Sequence, residues 1–403
     1  MHGLQVSIDQ DKCCGSGHCV QLAPEVFDQD PMSGTVILLQ SAPTFASHEA
    51  VREAGAVCPA SAINVMEPAL SRGHRGIPSI AATISVGEGP AAVAFSPDGR
   101  EAYVANYGRW ATGAPGRTVS VINTDTRAVI ATIEVGVGPS VLTVAPNGAT
   151  VYVGNYGSAK APGNTVSVID TANHKVTPPI TVGNAPDGVA VSPDGHRLFV
   201  SELGSETRLG TSMSVIDTAT NCVIGTLEVG EGPGAVAITP DGTRGYVVNY
   251  GTPTDPAGTV SVFDVERNAV IATIAVGKSP GAVAVTPDGK RVYVANHGPF
   301  DAPGNTISVI DTTTNTVVAT VGVGSGPGGV AIAKNGSRVY VVNMGGNDAP
   351  GSTMSVIDTQ DNTVIATVDV GRTPAAIALS PDGRWAYVTN YGTNTVAVLD
   401  LNN

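Results

Sequence analysis

The sequence predicts a mainly β fold, a seven-bladed β-propeller preceded by a small α+β domain. Two observations predict the propeller: from about residue 80 an aromatic anchor returns at intervals of 49 and then 47 residues, and each repeat reads as four short strands. The small domain is predicted from residues 1–67, which hold four of the five cysteines. The chain is therefore divided into residues 1–67, a linker at 68–78 and a propeller at 79–403.

The repeats share one pattern of strands and turns. Alternating Val, Ile and Tyr with small or polar neighbours is typical of strands. An Asp-Gly or Asn-Gly pair, Asp98-Gly99 in the first repeat, follows the first strand, and we expect this pair to supply the positive φ angles of a tight hairpin turn. The aromatic anchors of the second strands are Tyr103, Tyr152, Phe199, Tyr246, Tyr293, Tyr340 and Tyr387.

The two ends of the repeat region predict a closed ring. The seventh repeat stops at TVAVLDLNN, after its third strand. The missing fourth strand, VIATIxVG in other repeats, is found ahead of the first repeat as IAATISVG, at residues 80–87. We therefore expect this N-terminal strand to complete the last blade and to leave no blade open.

The repeat resembles the YVTN family of β-propellers, and the name motif is present as Tyr387-Val388-Thr389-Asn390. The resemblance covers about four-fifths of the chain and implies the propeller fold. It implies no particular chemistry, because propellers carry many unrelated functions.

Composition and charge exclude several other classes of protein. With 49 Gly and 28 Pro in 403 residues, a large helical bundle is excluded. The net charge of −13, from 34 acidic and 21 basic residues, disfavours nucleic acid as a partner. No apolar run approaches the length of a membrane helix, so no membrane insertion is expected. The N-terminal residues lack the basic and apolar regions of a signal peptide, so we expect a cytoplasmic protein.

The cysteines of residues 1–67 predict an iron–sulfur cluster. Five residues separate Cys13 from Cys19, and Cys58-Pro59 follows a stretch predicted to be helical at 48–57. Thiolates are soft ligands that suit such clusters. A four-iron loop of the form C-x2-C-x2-C requires a cysteine at position 16, which is Ser16 here. Three cysteines at these spacings suit a 3Fe–4S cluster.

Two alternatives for the metal site remain open at this point. One is a 4Fe–4S cluster whose fourth iron is bound by Ser16, Cys14 or water. The other is zinc, although zinc sites usually supply closely paired cysteines and a fourth ligand.

The N-terminal segment closely resembles the single-cluster 3Fe–4S ferredoxins that deliver electrons to haem-thiolate cytochrome monooxygenases in actinobacteria. The matching motifs are C-x-G-x-G-x-C from residue 13, APEVF at 23–27 and CPASAI at 58–63. The resemblance implies a ferredoxin-like fold and cluster ligation by Cys13, Cys19 and Cys58. It also implies a ferredoxin reductase and an oxygenase, of the haem-thiolate type, as partners.

The propeller offers three candidate residues for a catalytic site. In the third repeat, Glu202 replaces a recurrent Asn, and Asp187 stands where other repeats have Gly, Ser or Ala. The fifth repeat has His297 where several others have Tyr. If these side chains converge near the propeller axis, Glu202 and His297 are candidates for an acid and a base. The recurrent Tyr107, Tyr156, Tyr250 and Tyr391 are interpreted as packing or rim residues.

The leading functional hypothesis is an electron carrier. A cluster in residues 1–67 passes single electrons from a reductase to an oxygenase, and the propeller acts as a docking or assembly scaffold. Residues 1–68 carry eight acidic side chains against Lys12 and Arg52, a net charge of −6 that favours basic docking patches on partners. The alternative is an enzymatic propeller, a lyase, cyclase or hydrolase, with the cluster in a supporting redox role.

Overall fold

The computed structural model describes residues 5–41, 47–66, 76–109, 114–158, 160–205, 208–251 and 258–402. The chain forms two units, Met1–Gly76 and Ile77–Asn403. Residues 68–75 of the predicted linker, which spans 68–78, lie outside the described residues.

The N-terminal unit is a small α+β fold, as the sequence predicts. Its strands form two antiparallel pairs, β1 with β4 and β2 with β3, and helix α2 has the bounds predicted for it. Its elements are β1 (Gln5–Ile8), a 3-10 turn (Gln10–Lys12), α1 (His18–Leu22), β2 (Phe27–Gln29), β3 (Val36–Leu38), α2 (His48–Val57) and β4 (Ile63–Met66). In the part of the chain that the structure describes, no helix is long and apolar enough to cross a membrane.

The hydrophobic core of this unit contains residues from or next to each of its four strands and both of its helices. Val26 and Phe27, at the start of β2, and Val51 of α2 are fully buried. Cys13, Cys19 and Cys58 pack against this core from one side. The packing therefore fixes the elements that carry the three thiols.

The second unit is the predicted seven-bladed propeller. Among the described residues, seven antiparallel sheets have four strands each. The innermost strands are β6 (Pro90–Phe95), β10 (Pro139–Val144), β14 (Pro186–Val191), β18 (Pro233–Ile238), β22 (Pro280–Val285), β26 (Pro327–Ile332) and β30 (Pro374–Leu379). The second strands are β7 (Glu101–Arg109), β11 (Thr150–Gly157), β15 (Arg197–Ser205), β19 (Arg244–Asn249), β23 (Arg291–Asn296), β27 (Arg338–Gly345) and β31 (Trp385–Asn390).

Two further strands complete each blade. The third strands are β8 (Ala114–Asn123), β12 (Pro162–Asp170), β16 (Arg208–Asp217), β20 (Thr259–Asp264), β24 (Thr306–Asp311), β28 (Pro350–Asp358) and β32 (Thr395–Asp400). The outer strands are β9 (Ala128–Glu134), β13 (Lys175–Thr181), β17 (Cys222–Glu228), β21 (Ala269–Ala275), β25 (Thr316–Gly322), β29 (Thr363–Asp369) and, in the last blade, β5 (Ser79–Ser85).

The ring closes through β5, as the sequence predicts. This strand pairs antiparallel with β32, and Ile84 lies opposite Val396. Innermost strands of successive blades contact one another all round the ring, including β30 against β6. The hydrophobic clusters lie between adjacent blades, as Ile84 and Val398 of the last blade pack with Val104 of the first. Each blade is thus stabilised by its two neighbours.

The hairpin turns differ in detail from the sequence prediction. In the first blade Gly99 alone of the Asp-Gly pair has a positive φ, 73°. The Gly99 N–H donates to the Ser96 carbonyl over 2.9 Å. Asp98 instead uses its side chain, accepting from the Ser96 hydroxyl at 2.6 Å and from the Arg100 N–H at 3.1 Å. Asp serves these turns as a hydrogen-bond acceptor, and only glycine supplies the left-handed conformation.

Candidate iron–sulfur site

Three cysteines from three separate elements line one recess of the N-terminal unit. Cys13 follows the 3-10 turn, Cys19 lies in α1, and Cys58 follows the last residue of α2. Cys14 and Ser16 line the same recess, and both are exposed. The structure therefore brings together all five residues that the sequence singled out in this domain.

Two glycines give the loop its curvature. Gly15 and Gly17 have φ of 75° and 71°, which side-chain-bearing residues rarely adopt. A Cβ atom at Gly15 would lie 3.1 Å from the carbonyl oxygen of Gly34. The loop between Cys13 and Cys19 can therefore fold tightly around the recess.

Gln29 holds this loop in place, a role that the sequence analysis missed. Its Nε2 donates to the carbonyl of Gly15 at 3.0 Å and to the carbonyl of Gly34 at 2.6 Å. One side-chain amide thus links the cysteine loop to the turn between β2 and β3. No pattern in the chain distinguishes Gln29 from a surface glutamine.

Replacing Gln29 by leucine should loosen the cysteine loop. Two carbonyls lose a donor, at a cost of about 1–3 kcal/mol. We expect the bound cluster to be lost faster to a chelator, measured as the decay rate of visible absorbance. Gln21→Leu, an exposed position on α1, is the matched control and should decay at the wild-type rate. Equal rates for the two variants would contradict a supporting role for Gln29.

The sulfur atoms are set in a partly apolar surrounding with backbone donors. The Val36 N–H donates to Cys13 Sγ and the Ala62 N–H to Cys58 Sγ, each at 3.3 Å. Burial raises the pKa of the Cys19 thiol, and the nearby thiols of Cys13 and Cys58 raise it further. Metal binding requires thiolates, and a positively charged metal centre bound in the recess would offset this cost.

The arrangement suits a group larger than one ion. In an iron–sulfur cluster the thiolates bind different irons, so the ligands surround the group and do not converge on one point. The recess, its three thiols and its N–H donors fit such a cluster.

Comparison with known sequences and structures agrees with this site. Residues 8–65 match the family described as the 4Fe-4S single cluster domain of Ferredoxin I. Ferredoxin-2 of Streptomyces griseolus is 55% identical over 64 residues, which are 16% of this chain and 100% of that protein. Through its N-terminal domain, the chain belongs to the ferredoxin family. This ferredoxin domain is an electron-transfer domain with an iron–sulfur cluster as its cofactor.

A second relative indicates the kind of system in which such domains occur. The ferredoxin domain is 38% identical over 72 residues to an uncharacterized P450-system 3Fe-4S ferredoxin of Bradyrhizobium diazoefficiens. The match spans 18% of this chain and 75% of that protein. Both relatives thus correspond to the first sixth or so of the chain and leave the propeller without a counterpart.

The propeller of this ferredoxin has its own matches. Residues 255–403 match the family described as Choice-of-anchor I domain. A hydrazine synthase chain of Kuenenia stuttgartiensis superposes with a TM-score of 0.67 at 24% identity, covering 78% of this chain and 96% of that chain. At this identity the likeness supports the fold alone.

Glu202 lies inside the third blade, hydrogen-bonded between strands. It is 8% exposed and accepts from the Ser212 hydroxyl at 2.6 Å and from the Ser214 hydroxyl. The Gly183 N–H donates to it at 2.9 Å. In the first blade the same place is held by Asn106, whose Nδ2 donates to Thr and Ser hydroxyls of the third strand. Glu202 is therefore engaged as a structural acceptor.

Replacing Glu202 by alanine should destabilise the propeller. The buried Ser214 hydroxyl, the half-buried Ser212 hydroxyl and one N–H lose their acceptor, so we expect a loss of about 2–4 kcal/mol and a lower Tm. The exposed Glu231 gives the matched variant Glu231→Ala, which should change stability by less than about 0.5 kcal/mol. A Tm for Glu202→Ala equal to that of Glu231→Ala would show that Glu202 has no structural role.

His297 and Asp187 occupy different surroundings. His297 is 6% exposed, its Nδ1 lies 2.7 Å from the Gly298 carbonyl, and burial lowers its pKa. Asp187 lies in β14 and is partly exposed. Burial of its carboxyl raises its pKa to about 7, although a hydrogen bond from Tyr250 acts in the opposite direction. His297 is therefore neutral at physiological pH, whereas the Asp187 carboxyl titrates near physiological pH.

Proposed function

We propose that this chain is a single-electron carrier in which Cys13, Cys19 and Cys58 hold a 3Fe–4S cluster. The observation that carries the proposal is the placement of the three thiols around one recess, with backbone N–H donors to two of the sulfurs. The cluster supplies a one-electron redox couple when bound. The protein residues ligate it, limit its exposure to water and tune its potential through the N–H donors.

Three irons are favoured over four by the residue at position 16. A thiolate there would complete a four-iron loop, and Ser16 offers only a hydroxyl, a much poorer ligand for this soft metal site. The name of the Bradyrhizobium relative supports the same cluster type. The thiol of Cys14 also lines the recess and is the side chain to test if four irons are found.

The partners proposed are a ferredoxin reductase and a haem-thiolate P450 oxygenase. The relative named for a P450 system supports this pairing. Asp11, Glu25, Asp28 and Glu53 of the ferredoxin domain are exposed, and such acidic surfaces steer binding to basic patches. Association should therefore weaken as salt concentration rises.

Electron paramagnetic resonance tests the cluster, and a coupled assay tests the transfer. Oxidised anaerobic protein should give the signal of an odd-electron 3Fe–4S cluster, and reductase with NADPH should change that signal. A P450 oxygenase should then turn over only when this protein is present. Protein that is silent when oxidised and gains a signal on reduction would indicate four irons. Absence of iron and sulfide would overturn the electron-carrier proposal.

We infer that the propeller acts as a docking scaffold for the oxygenase. Supporting this, the outer strands of the blades display pairs of exposed aliphatic side chains. They include Val129 and Ile130, Val223 and Ile224, and Val270 and Ile271. Exposed aliphatic surface repeated on edge strands favours contact with another protein.

The scaffold role is tested by changing the exposed aliphatic side chains of the outer strands and leaving the ferredoxin domain unchanged. A variant with Ile130→Lys, Ile224→Lys and Ile271→Lys should raise the KM of the oxygenase for this protein without changing kcat. Its electron paramagnetic resonance signal should equal that of the wild type. An unchanged KM would show that these outer-strand side chains do not contribute to docking, and it would not affect the electron-carrier proposal.

A further inference from the structure

Four tyrosines from different blades form a chain of neighbours, and two of them, Tyr107 and Tyr250, interact with one carboxyl, that of Asp187. Tyr107 and Tyr156 lie at the ends of β7 and β11, and Tyr250 and Tyr391 directly follow β19 and β31. Each comes one residue after the buried Asn of its second strand, so each lies at the same face of the ring. Together with Asp187 of β14 we call these side chains the axial cluster.

The contacts within the axial cluster place it at the axis. The Tyr250 hydroxyl of the fourth blade hydrogen-bonds Asp187 of the third and interacts with Tyr156 of the second. Tyr107 of the first blade interacts with Asp187 as well. Electrostatic interactions between side chains of blades that are not neighbours along the ring place these groups towards its centre.

The aromatic rings also contact each other. The Tyr107 and Tyr156 rings lie 6.1 Å apart, centroid to centroid, at 64°. Tyr391 donates its hydroxyl proton to the Gly108 carbonyl at 2.9 Å, beside Tyr107. Asp187, Tyr156, Tyr250 and Tyr391 are partly exposed, so solvent reaches the cluster. The result is a partly exposed aspartate beside aromatic rings.

Charge sets the third blade apart from the others. The position of Asp187 is held by Ala91 in the first blade, Gly234 in the fourth and Ala375 in the seventh. Among the described residues, no basic side chain forms an ion pair with Asp187. Within the axial cluster the ionised carboxyl therefore has phenol groups but no counter-charge.

We propose that the axial cluster binds a small organic cation of the alkylammonium class. The Asp187 carboxylate supplies the charge, and the tyrosine rings supply cation–π contacts. A hard metal ion is a poorer match, since it takes six or more oxygen ligands, whereas this cluster offers a single carboxylate and aromatic faces. The binding is independent of the iron–sulfur site and of electron transfer.

Protons should compete with the organic cation for the Asp187 carboxylate. The titratable groups that face Asp187 are the phenols of Tyr107 and Tyr250, whose pKa values burial raises, so both stay neutral near pH 7. Asp187 itself has a pKa of about 7 in the free protein, because burial disfavours its charged form. Since a cation binds the ionised form, its affinity should fall about tenfold from about pH 8 to about pH 6.

Calorimetric titration of the full-length protein with choline tests the proposal. Choline should bind, whereas its neutral isostere 3,3-dimethylbutan-1-ol should bind at least about tenfold more weakly. Asp187→Ala should lower choline affinity at least about tenfold and remove its pH dependence. Tyr156→Leu should lower affinity several-fold. The third blade carries Leu203 at the tyrosine position and other blades carry alanine at that of Asp187, so both variants suit the fold.

Glu231→Gln is the control, because this exposed acid lies in the loop that precedes β18, at the same face as the axial cluster. It should bind choline as the wild type does, and the Tm of every variant is measured alongside. Absent choline binding, equal binding of the neutral isostere, or an unchanged affinity in a folded Asp187→Ala protein would each overturn the proposal.

Discussion

Replacing Cys58 by alanine is expected to abolish the iron–sulfur cluster. Cys58 supplies one of the three thiols proposed as ligands, and the two that remain of this set cannot retain the group. Iron and acid-labile sulfide per chain should fall to less than about one-tenth of the wild-type content, with loss of the visible absorbance and of the paramagnetic signal. Because cluster binding also stabilises the fold around it, the ferredoxin domain should become more susceptible to proteolysis.

Cys222→Ala provides the matched cysteine variant. Cys222 is exposed at the start of β17, in the third blade, and its removal should leave iron and sulfide content unchanged. Full cluster content in Cys58→Ala would contradict the proposed ligand set. Cys14→Ala then separates the cluster types, since a 3Fe–4S cluster should survive that change and a cluster that uses Cys14 should not.

Replacing Ile84 by aspartate should open the propeller. Ile84 in the closing strand β5 is 6% exposed and packs with Val396 and Val398. The change buries an unpaired carboxylate and removes apolar contacts, so we expect a loss of roughly 3–5 kcal/mol. Thermal unfolding followed by tryptophan fluorescence measures it, because both tryptophans of the chain, Trp110 and Trp385, belong to the propeller.

The same substitution at Ile80 is the control. Ile80 lies in the same strand and is 46% exposed, so Ile80→Asp should shift stability by less than about 0.5 kcal/mol. Equal Tm values for the two variants would mean that β5 does not contribute to the propeller core. A lower Tm in Ile84→Asp with an unchanged cluster signal would assign the effect to the propeller alone.

The propeller could be predicted from the sequence because its determinants are local and repeated. Strand alternation, the Gly of each turn and the aromatic anchors recur at a fixed interval, so seven copies reinforce one interpretation. The closing strand was found in the same way, as a fourth strand displaced to the N-terminus. The sequence did not predict the turn geometry correctly, because the Asp of the Asp-Gly pair accepts hydrogen bonds through its side chain and does not take a positive φ.

Contacts between distant residues escaped the sequence analysis. Gln29 links two carbonyls by contacts that no local pattern encodes. The sequence predicts packing or rim roles for the tyrosines after the second strands, and the interaction of Tyr107 and Tyr250 with Asp187 depends on the closure of the ring. Glu202 stood out in the alignment of repeats, yet only the structure shows which hydroxyls it accepts from. Repetition reveals which residue is unusual, and three-dimensional placement reveals its partners.

The pairing of β5 with β32 has a consequence for biosynthesis. Ile84 and its partner Val396 lie more than 300 positions apart, so the ribosome makes the last blade's outer strand long before that blade's other three strands. The ferredoxin domain precedes β5 and can fold while the remaining blades are still being synthesised, since domains generally fold as units. Cluster assembly can therefore come before ring closure, with β5 unpaired until β32 has been synthesised.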